Sequence, residues 1–414
     1  MVSNAARTDC FAGYNCALVP NVATLEAVSL GSTTNLGADS GSPSMTGTQT
    51  VTAFTDLYLP TVNGVTYTVA LWRDRWSRHH GSMDVVFPEM GGYEPRDGEY
   101  DVPSVGAPLY PRYRLGLPAV PSGLETPEIV HVHTPYTVGA AGIRFARQRD
   151  VPVVASYHTL LDDRVDQHVP PPLVDVCKRT HRAYERAFLE RVDHVVAPTA
   201  FARRRLLTAI QPAVDVTVVS NGIDTTMFRP VDPAAFCDAY ELPEGPVLGY
   251  TGRHGPEKNL EEAIDAVDAT DYTLVLAGDG PARASLEVYA RTVDADVRFL
   301  GFLDREELPA FYSTLDVFVF PSPVETQGLV ALEATACATP VVAVDAGALT
   351  DSVIDGETGY RYEPGDLESF RWAIRRTLAE HDRLSDLCRR RRQMLSVEHS
   401  LEQLGDLYDD VRGN

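Results

Sequence analysis

Two glutamates, Glu325 and Glu333, are separated by seven residues in a segment where a carboxylate could accept hydrogen bonds from sugar hydroxyls. The loop PSPVETQG follows a predicted buried strand, carries the first glutamate, and opens a predicted helix that carries the second. Backbone N–H groups at the helix entrance, around Gln327, Gly328 and Leu329, are free to donate hydrogen bonds to a ligand. The spacing alone favours a simpler role, in which Glu325 caps the helix.

A pair of cations lies in a second loop, GRHGPEKN at 252–259. Gly252 ends a predicted strand, Arg253 and Lys258 flank a turn, and a helix is predicted to begin near Asn259. Two cations beside a helix N-terminus can bind a diphosphate. Lys258 is one of only two lysines in the chain, which favours a specific role over an ordinary charged loop between a strand and a helix.

Other polar or glycine-containing loops also follow predicted strands. In DLYLPTVNGVTYTV at 56–69, Asn63 and Gly64 allow an unusual backbone and a close approach to a phosphate. The loop lacks the GxGxxG pattern, which argues against a dinucleotide-dependent dehydrogenase. HVHTP and SYHT place His133 and His158 at strand ends, where a single histidine is more often structural than catalytic.

Taken in order, these segments resemble the retaining glycosyltransferases of family four, which have the GT-B fold. The resemblance rests on PSPVETQGLVALEATACATPVV at 321–342, on GRHGPEKN and on AGDGP at 277–281, and it extends over about residues 51–370. In that family the first glutamate contacts the transferred sugar and the second holds the ribose of the nucleotide. The resemblance therefore implies these roles for Glu325 and Glu333.

The same resemblance implies roles for the other loops. Arg253 and Lys258 would stabilise the departing diphosphate, and His158 would contact the donor sugar and orient the reaction. His133 and Tyr157 would lie on the acceptor side. The donor-binding residues, besides the ribose glutamate, would be Asn63, Gly64, Gly252, Gly278, Gly280, Gln327, Gly328 and Leu329. Because GT-B enzymes usually need no metal, we expect no metal site and no cofactor apart from the donor substrate, a UDP-sugar or GDP-sugar.

The form of the glutamate segment favours a lipid acceptor. ETQGL departs from the commoner EGFGL and looks like the form found in members that glycosylate diacylglycerol-type lipids. The SYHT region is similar to that of the diacylglycerol glucosyltransferases, although the charged LLDDR after it departs from their pattern. A soluble transferase acting on a small sugar or sugar phosphate, and a noncatalytic sugar-nucleotide-binding protein, stay open as alternatives. A hydrolase is disfavoured because no carboxylate pair with separate acid and nucleophile roles is evident.

Short β-branched runs alternate with helical stretches, and the pattern restarts near residue 247, which predicts an α/β protein with parallel sheets. We expect the GT-B arrangement of two Rossmann-like domains facing a central cleft, with the strands of the second domain buried on both faces. The predicted divisions are an extension that is disordered or begins upstream of the true start (1–44), an acceptor-binding domain (45–228), a nucleotide-sugar-binding domain (229–395) and a helix that either closes the second domain or crosses back to the first (396–414).

Charge limits the classes of partner. The formal net charge is -22, and arginine supplies 34 of the 36 basic residues. Such an acidic, lysine-poor composition is typical of a high-salt cytoplasm, so a haloarchaeon-like source is expected. The net charge disfavours nucleic-acid binding. The sequence has no apolar run of the roughly 20 residues that span a bilayer. Its six cysteines include no CxxC pair, and free thiols are typical of the reducing cytoplasm, which is therefore the predicted location.

The two halves differ in charge. Residues 45–230 carry 19 basic and 20 acidic side chains, whereas residues 231–414 carry 16 and 35. A nearly neutral, arginine-rich first domain could approach an anionic membrane that would repel the second. We therefore predict peripheral contact with the inner face of the cell membrane. The candidate segments are LWRDRWSRHH at 71–80, KRTHRAYERAF at 178–188 and RRR at 203–205. The alternative for the first two is a solvated helix face with one buried stripe.

Overall fold

The structure is a computed structural model that describes residues 49–61, 63–107, 110–158 and 173–413. The predicted N-terminal extension at 1–44 and the charged LLDDR stretch lie outside these residues. Two parallel sheets, one from each half of the chain, organise the described part.

The first sheet has seven parallel strands in the described residues. From one edge to the other they are β3 (Glu99–Val102), β2 (Gly81–Pro88), β1 (Gln49–Phe54), β6 (Ile129–Val132), β7 (Val153–Ser156), β8 (His194–Ala197) and β9 (Val216–Val218). The predicted β-branched runs form six of these strands. Strands such as β1 and β6 are apolar because elements packed on both faces bury them, whereas the edge strand β9 is partly exposed.

An antiparallel hairpin interrupts the parallel pattern after β3. Its strands are β4 (Ser104–Ala107) and β5 (Tyr110–Gly116). Val105 and Leu115 are exposed on it. The sequence SVGAPLYPRYRLG has neither a continuous apolar run nor a regular alternation, and for this reason it was not predicted as strand.

Helices cover the first sheet. They are α1 (Gly64–His79), α2 (Thr137–Arg147), α3 (Val174–Leu189) and α4 (Ala200–Arg205). Asn63 begins α1 because its side-chain oxygen accepts a hydrogen bond from the Thr66 N–H at 2.9 Å. The N-terminus of α2 is held from another loop, since buried Asp56 accepts the N–H of Val138 at 3.0 Å.

The second sheet has six parallel strands in the described residues. In spatial order they are β12 (Asp296–Gly301), β11 (Thr273–Ala277), β10 (Val247–Thr251), β13 (Val317–Phe320), β14 (Val341–Val344) and β15 (Gly359–Tyr362). Four of the five strands predicted here are fully buried. Strand β12 is not, which corrects the prediction: it lies at the sheet edge and pairs only with β11.

The helices that cover the second sheet are α5 (Ala234–Ala239), α6 (Leu260–Val267), α7 (Arg283–Ala290), α8 (Leu308–Thr314), α9 (Leu329–Ala336), α10 (Leu349–Ser352), α11 (Leu367–Ala379) and α12 (His381–Arg391). Helix α6 begins directly after Asn259, close to the predicted start, and a short 3-10 turn, Pro256–Lys258, precedes it.

The last helix, α13 (Val397–Gly413), crosses back to the first sheet. Leu404 and Tyr408 are fully buried in one apolar cluster with Trp76 of α1. Arg412 forms an ion pair with Glu128, which lies just before β6, at 2.5 Å. These contacts of the C-terminal helix are made with the first half of the chain.

The two Rossmann-like parallel sheets confirm the α/β fold class. In the first sheet, the strands β1 to β3 follow one another in one direction and the strands β6 to β9 in the opposite direction. In the second sheet, β10 to β12 and β13 to β15 are arranged in the same way. The strand order therefore reverses between β1 and β6, and again between β10 and β13. In open α/β sheets, ligands bind outside the carboxyl ends of the strands at such a reversal.

Candidate functional site

The predicted site loops follow the four strands at these reversals. The loop with Asn63 follows β1, and His133 follows β6 in the first sheet. In the second sheet the loop with Arg253 and Lys258 follows β10, and the loop with Glu325 follows β13. Because parallel strands share one carboxyl edge, the loops of each pair are neighbours.

Glycines bring two loops of the second half into direct contact. Gly252 and Gly278 have φ values of 143° and 112°, and a Cβ on Gly278 would lie 2.0 Å from the Gly252 carbonyl oxygen. A Cβ on Gly280 would lie 2.5 Å from the carbonyl oxygen of His254. The His254 N–H donates to the Asp279 carbonyl at 2.9 Å. The backbone contact therefore requires glycine at 278 and 280.

Lys258 and Glu325 meet across the reversal between β10 and β13. The Lys258 Nζ lies 2.5 Å from Glu325 Oε1 and 3.5 Å from the Ser322 hydroxyl. Arg253, the other predicted cation, has a half-exposed side chain and forms an ion pair with Glu257. Lys258 and Glu325, which the resemblance assigns to the diphosphate and to the transferred sugar, are thus in contact, while the Arg253 guanidinium stays accessible from solvent.

The glutamate loop ends at a helix N-terminus that Glu325 does not cap. Helix α9 begins after Gly328, which has a φ of 77°, and no side chain caps it. The capping alternative for Glu325 was therefore wrong, because the carboxylate is turned to Lys258 instead. A Cβ placed on Gly64, at the start of α1, would lie 3.4 Å from Leu329 Cδ1. The N-termini of α1 and α9 thus approach each other, and both favour an anion between the two halves.

Asn63 has hydrogen-bonding capacity left at this position. Its side-chain oxygen caps α1, while its amide nitrogen is buried with no hydrogen-bond partner among the described residues. A buried donor without a partner is unfavourable by about 1–3 kcal/mol. A donor phosphate or sugar hydroxyl beside Gly64 could accept this hydrogen bond.

Glu333 is held firmly inside the second half. Tyr312 donates its hydroxyl hydrogen to Glu333 Oε2 at 2.8 Å, and the Arg305 guanidinium lies 3.6 Å from Oε1. Burial raises the pKa of this carboxyl. Since an ionised carboxylate has about four acceptor sites, these contacts leave capacity for ribose hydroxyls.

His133 and His158 are in contact. Their Nδ1 and Nε2 atoms lie 3.0 Å apart and their rings are stacked with centroids 5.3 Å apart. His133 is buried, and its Nε2 has no partner among the described residues. Tyr157 is buried in the core of the first half, so it can affect an acceptor only through its neighbours.

Burial keeps these imidazoles neutral. It lowers the pKa of His158 to about 4 and the pKa of His133 well below its usual value. At neutral pH, His158 can donate or accept hydrogen bonds but carries no charge. That state suits orientation of sugar hydroxyls rather than electrostatic binding of phosphate.

Gln327 connects its loop to the segment between the two sheets. Its Oε1 accepts the Asn221 N–H at 3.2 Å, and its Nε2 donates to the Ser220 hydroxyl at 2.7 Å. The side chain is therefore committed within the protein, and any donor contact from this residue would come from its backbone.

Within the described residues, no group of three histidine, cysteine or acidic side chains could hold a metal ion. None of the helices in that part of the chain is both long and apolar enough to cross a membrane.

Comparison with known proteins identifies the family. Residues 62–227 match the model described as Glycosyltransferase Family 4, and residues 239–394 match that of Glycosyl transferases group 1. The GDP-mannose-dependent alpha-mannosyltransferase of Mycolicibacterium smegmatis is 31% identical over 80% of this chain and 90% of its own length. The chain belongs to the group 1 glycosyltransferases.

Two further similarities agree with this assignment. A GDP-mannose-dependent alpha-(1-6)-phosphatidylinositol dimannoside mannosyltransferase of Mycobacterium tuberculosis is 32% identical over 70% of this chain and 76% of its own length. Sucrose-phosphate synthase from Thermosynechococcus elongatus superposes with a TM-score of 0.72 at 23% identity, over 88% of this chain and 99% of that one. This likeness confirms the GT-B fold. The glycosyltransferase uses a nucleotide sugar as its donor.

Arg305 is a site residue of the glycosyltransferase that sequence reasoning missed. Besides its contact with Glu333, its guanidinium lies 4.2 Å from the ring centroid of Tyr67 and 5.0 Å from that of Phe228. Tyr67 belongs to α1, while Phe228 lies in the segment between the two sheets. One side chain thus connects Glu333 with both the first half and the connecting segment. A lone arginine in the loop FLDREE gave no signal of this.

A third histidine also escaped prediction. His131 stacks on His133 with centroids 4.2 Å apart, and its Nδ1 lies 2.5 Å from the Tyr408 hydroxyl of α13. Trp72 packs against both histidines and donates its indole N–H to the Asn221 carbonyl at 2.7 Å. Burial lowers the pKa of His131 to about 3. The period-2 spacing in HVH was the available signal, since it places both side chains on one face of β6.

Proposed function

We propose that this glycosyltransferase moves a hexose from a nucleotide-diphosphate sugar to a membrane lipid, with retention of configuration at the anomeric carbon. The observation that carries the proposal is the Lys258–Glu325 ion pair, which lies at a strand-order reversal close to the N-terminus of α9. It brings a cation for the leaving diphosphate next to a carboxylate for the transferred sugar.

The proposed mechanism is a front-face substitution. The bond between the anomeric carbon and the diphosphate oxygen breaks, and the bond to the acceptor oxygen forms on the same face. The leaving diphosphate takes the acceptor proton, while Arg253, Lys258 and the N–H groups of Gly328 and Leu329 stabilise its charge. No second carboxylate is required as a covalent nucleophile.

The remaining predicted residues support the two substrates. Glu333 holds the ribose, and neutral His158 orients the donor sugar. His133 and Tyr157 belong to the acceptor side because they follow strands of the first sheet. The pyrophosphate lies against the glycine loops, where Gly64, Gly252, Gly278 and Gly280 permit close approach.

The lipid acceptor is supported by two observations. One relative, the mannosyltransferase of M. tuberculosis named above, carries a phosphatidylinositol acceptor in its name. The first half of this chain is nearly neutral whereas the second is strongly acidic, so only the first can approach an anionic bilayer without repulsion. We therefore propose that the protein acts in the cytoplasm, at the inner face of the membrane.

The deciding experiment is a panel of donors and acceptors. Purified protein is incubated with GDP-mannose, GDP-glucose, UDP-glucose and UDP-galactose. Each donor is offered archaeal-type lipid, diacylglycerol lipid, or a soluble sugar phosphate as acceptor. NMR of the product then gives the anomeric configuration. Transfer to lipid with retention supports the proposal, whereas efficient transfer to the soluble acceptor alone supports a soluble transferase.

Two further properties are proposed with this function. Turnover should be unchanged by EDTA, because protein cations rather than a metal neutralise the diphosphate. The acidic composition should make activity rise toward molar salt. Loss of turnover in EDTA that Mg²⁺ restores would overturn the first property, and a fall of activity with added salt would overturn the second.

A further inference from the structure

A surface groove separates helices α2 and α3 of the first half. Its volume is about 570 Å³, within the range of ligand pockets. Ile143 and Phe188, both buried, form the floor together with Ala140 and Ala187. These four side chains form an apolar strip in the groove, and Gln148 also lines it.

Three arginines surround this floor: Arg144 and Arg147 of α2, and Arg191 just after α3. All three are exposed. In the part of the chain that the structure describes, their side chains donate to backbone carbonyls: Arg144 to Pro118 at 2.9 Å, Arg147 to Arg191 at 3.3 Å, and Arg191 to Ala187. Within the described residues, no carboxylate forms an ion pair with any of them. The groove thus carries three positive charges in a chain whose formal net charge is -22.

Exposed apolar side chains extend the groove toward the cleft. Tyr184 lines the groove, and its hydroxyl donates to the carbonyl of Pro135, next to exposed Tyr136. On the other side, the Arg144 contact with Pro118 lies beside exposed Leu117, which follows the β4–β5 hairpin. Helix α2 begins at the carboxyl edge of the sheet, so the groove starts about one turn from the cleft.

We propose that this α2–α3 groove binds an anionic membrane lipid, with an acyl chain on the apolar floor and the anionic head group on the three arginines. The groove is chemically complementary to both the acyl chain and the head group of such a lipid. Long apolar chains need an apolar surface, and guanidinium groups bind phosphate oxygens with paired N–H donors. This inference rests on the proposed lipid acceptor and adds a site outside the donor cleft.

The first test is binding to vesicles. The full chain is sedimented with vesicles of phosphatidylcholine alone, and with vesicles containing 30% phosphatidylglycerol (roughly the anionic content that raises surface potential). The test variant is Arg144→Gln/Arg147→Gln/Arg191→Gln. The control is Arg291→Gln/Arg375→Gln/Arg390→Gln, which gives the same charge change. These three arginines of the second half are exposed and form no ion pair within the described residues.

The groove variant should lose at least ~10-fold in affinity for the anionic vesicles at the lowest salt at which the chain is folded, and the control should lose little. Equal affinity of the groove variant and the unchanged chain would overturn the proposal. An equal loss in the control would also overturn it, because net charge alone would then explain binding. Circular dichroism checks the fold of both variants.

A second measurement detects the acyl chain itself. In Tyr184→Trp, a conservative exchange in the groove wall, dibrominated acyl chains should quench the new fluorescence. The unchanged chain is the control, since its exposed Trp372 lies in the second half. Absence of added quenching would overturn acyl-chain binding in the groove.

Transfer assays separate this inference from the proposed function. A groove variant that binds vesicles normally and also transfers sugar to detergent-dispersed lipid would overturn lipid binding in the groove but would support the proposed lipid acceptor. Groove-dependent vesicle binding without transfer to any lipid would support the groove and refute the lipid acceptor.

Discussion

The Lys258 ammonium lies 2.5 Å from Oε1 of Glu325, although 67 positions separate the two residues in the sequence. The contact exists because β10 and β13 are neighbours at the strand-order reversal, so the loops that follow them share one edge. Both side chains are mostly buried. A charge pair in such a place is preorganised for a ligand that carries both a phosphate and sugar hydroxyls.

Removal of the cation should mainly affect turnover. Lys258→Ala leaves the leaving diphosphate without one of its charge partners, and loss of such a preorganised donor lowers kcat by about 10²–10³-fold. Lys258→Arg should recover part of the loss. The measurement is steady-state kinetics with the preferred donor. Near-normal turnover in folded Lys258→Ala would refute the assignment, and Arg375→Ala, a remote exposed cation, serves as the matched control.

Loss of Glu333 should mainly weaken donor binding. Glu333→Gln removes a buried carboxylate that Tyr312 and Arg305 hold in place, so the donor KM should rise by about 10-fold or more with a smaller change in kcat. The neighbouring exposed Glu306→Gln is the control. An unchanged donor KM in Glu333→Gln would move ribose binding to other residues.

Arg305→Ala should raise the donor KM as well, and it should also loosen the junction between the halves. The guanidinium lies over Tyr67 and Phe228, so its loss removes contacts on both sides of the connecting segment. Arg305→Lys keeps the charge and loses the planar contact, which makes it the informative partner. Small-angle scattering with and without nucleotide measures the junction. If Arg305→Ala leaves both KM and scattering unchanged, the residue has no positioning role.

Much of the fold could be predicted from the sequence because buried parallel strands are continuous apolar runs. Strands such as β11 and β14 were located within one or two residues. Elements without that pattern escaped: the β4–β5 hairpin is partly exposed, and β15 is a short stretch, GYRY, of mixed burial. The edge strand β12 looked like a buried strand in sequence, because periodicity does not reveal which strand lies at an edge.

The motifs identified residues of the site but did not show which of them contact one another. Asn63 was predicted from its loop, whereas its hydrogen bond with a backbone N–H three residues later, which caps α1, was not predicted. The Lys258–Glu325 contact and the Arg305–Glu333 contact join residues from different loops, so their pairing depends on strand order. The stack of His131 on His133 needed the buried face of β6, which the sequence indicates, and Tyr408 from α13, which it does not.

The histidine stack should make the protein sensitive to acid. Burial lowers the pKa of His158 to about 4 and of His131 to about 3, below the usual value near 6.5. At pH values between these lowered pKa values and about 6.5, the unfolded chain binds protons that the folded chain does not. The contribution of these histidines therefore lowers stability as the pH drops from about 6.5 toward 4, and it has no effect above about 6.5. His158→Gln should therefore show a shallower fall of Tm with acid. His79→Gln, an exposed site, is the control, and equal slopes for the two variants would contradict this explanation.

Contact between the two glycine loops should be indispensable to the donor site. A Cβ on Gly278 would lie 2.0 Å from the Gly252 carbonyl, and the φ of 112° strains any L side chain. Gly278→Ala should therefore lower stability by more than about 3 kcal/mol and abolish nucleotide binding. Gly365→Ala separates the effect of the close contact from that of backbone strain. Gly365 has a φ of 74° with open space around its Cβ position, so this variant should lose only about 1–2 kcal/mol of stability. Urea unfolding and nucleotide calorimetry measure both variants. If the two lose equal stability, backbone strain alone matters and the close contact of the loops has no energetic role.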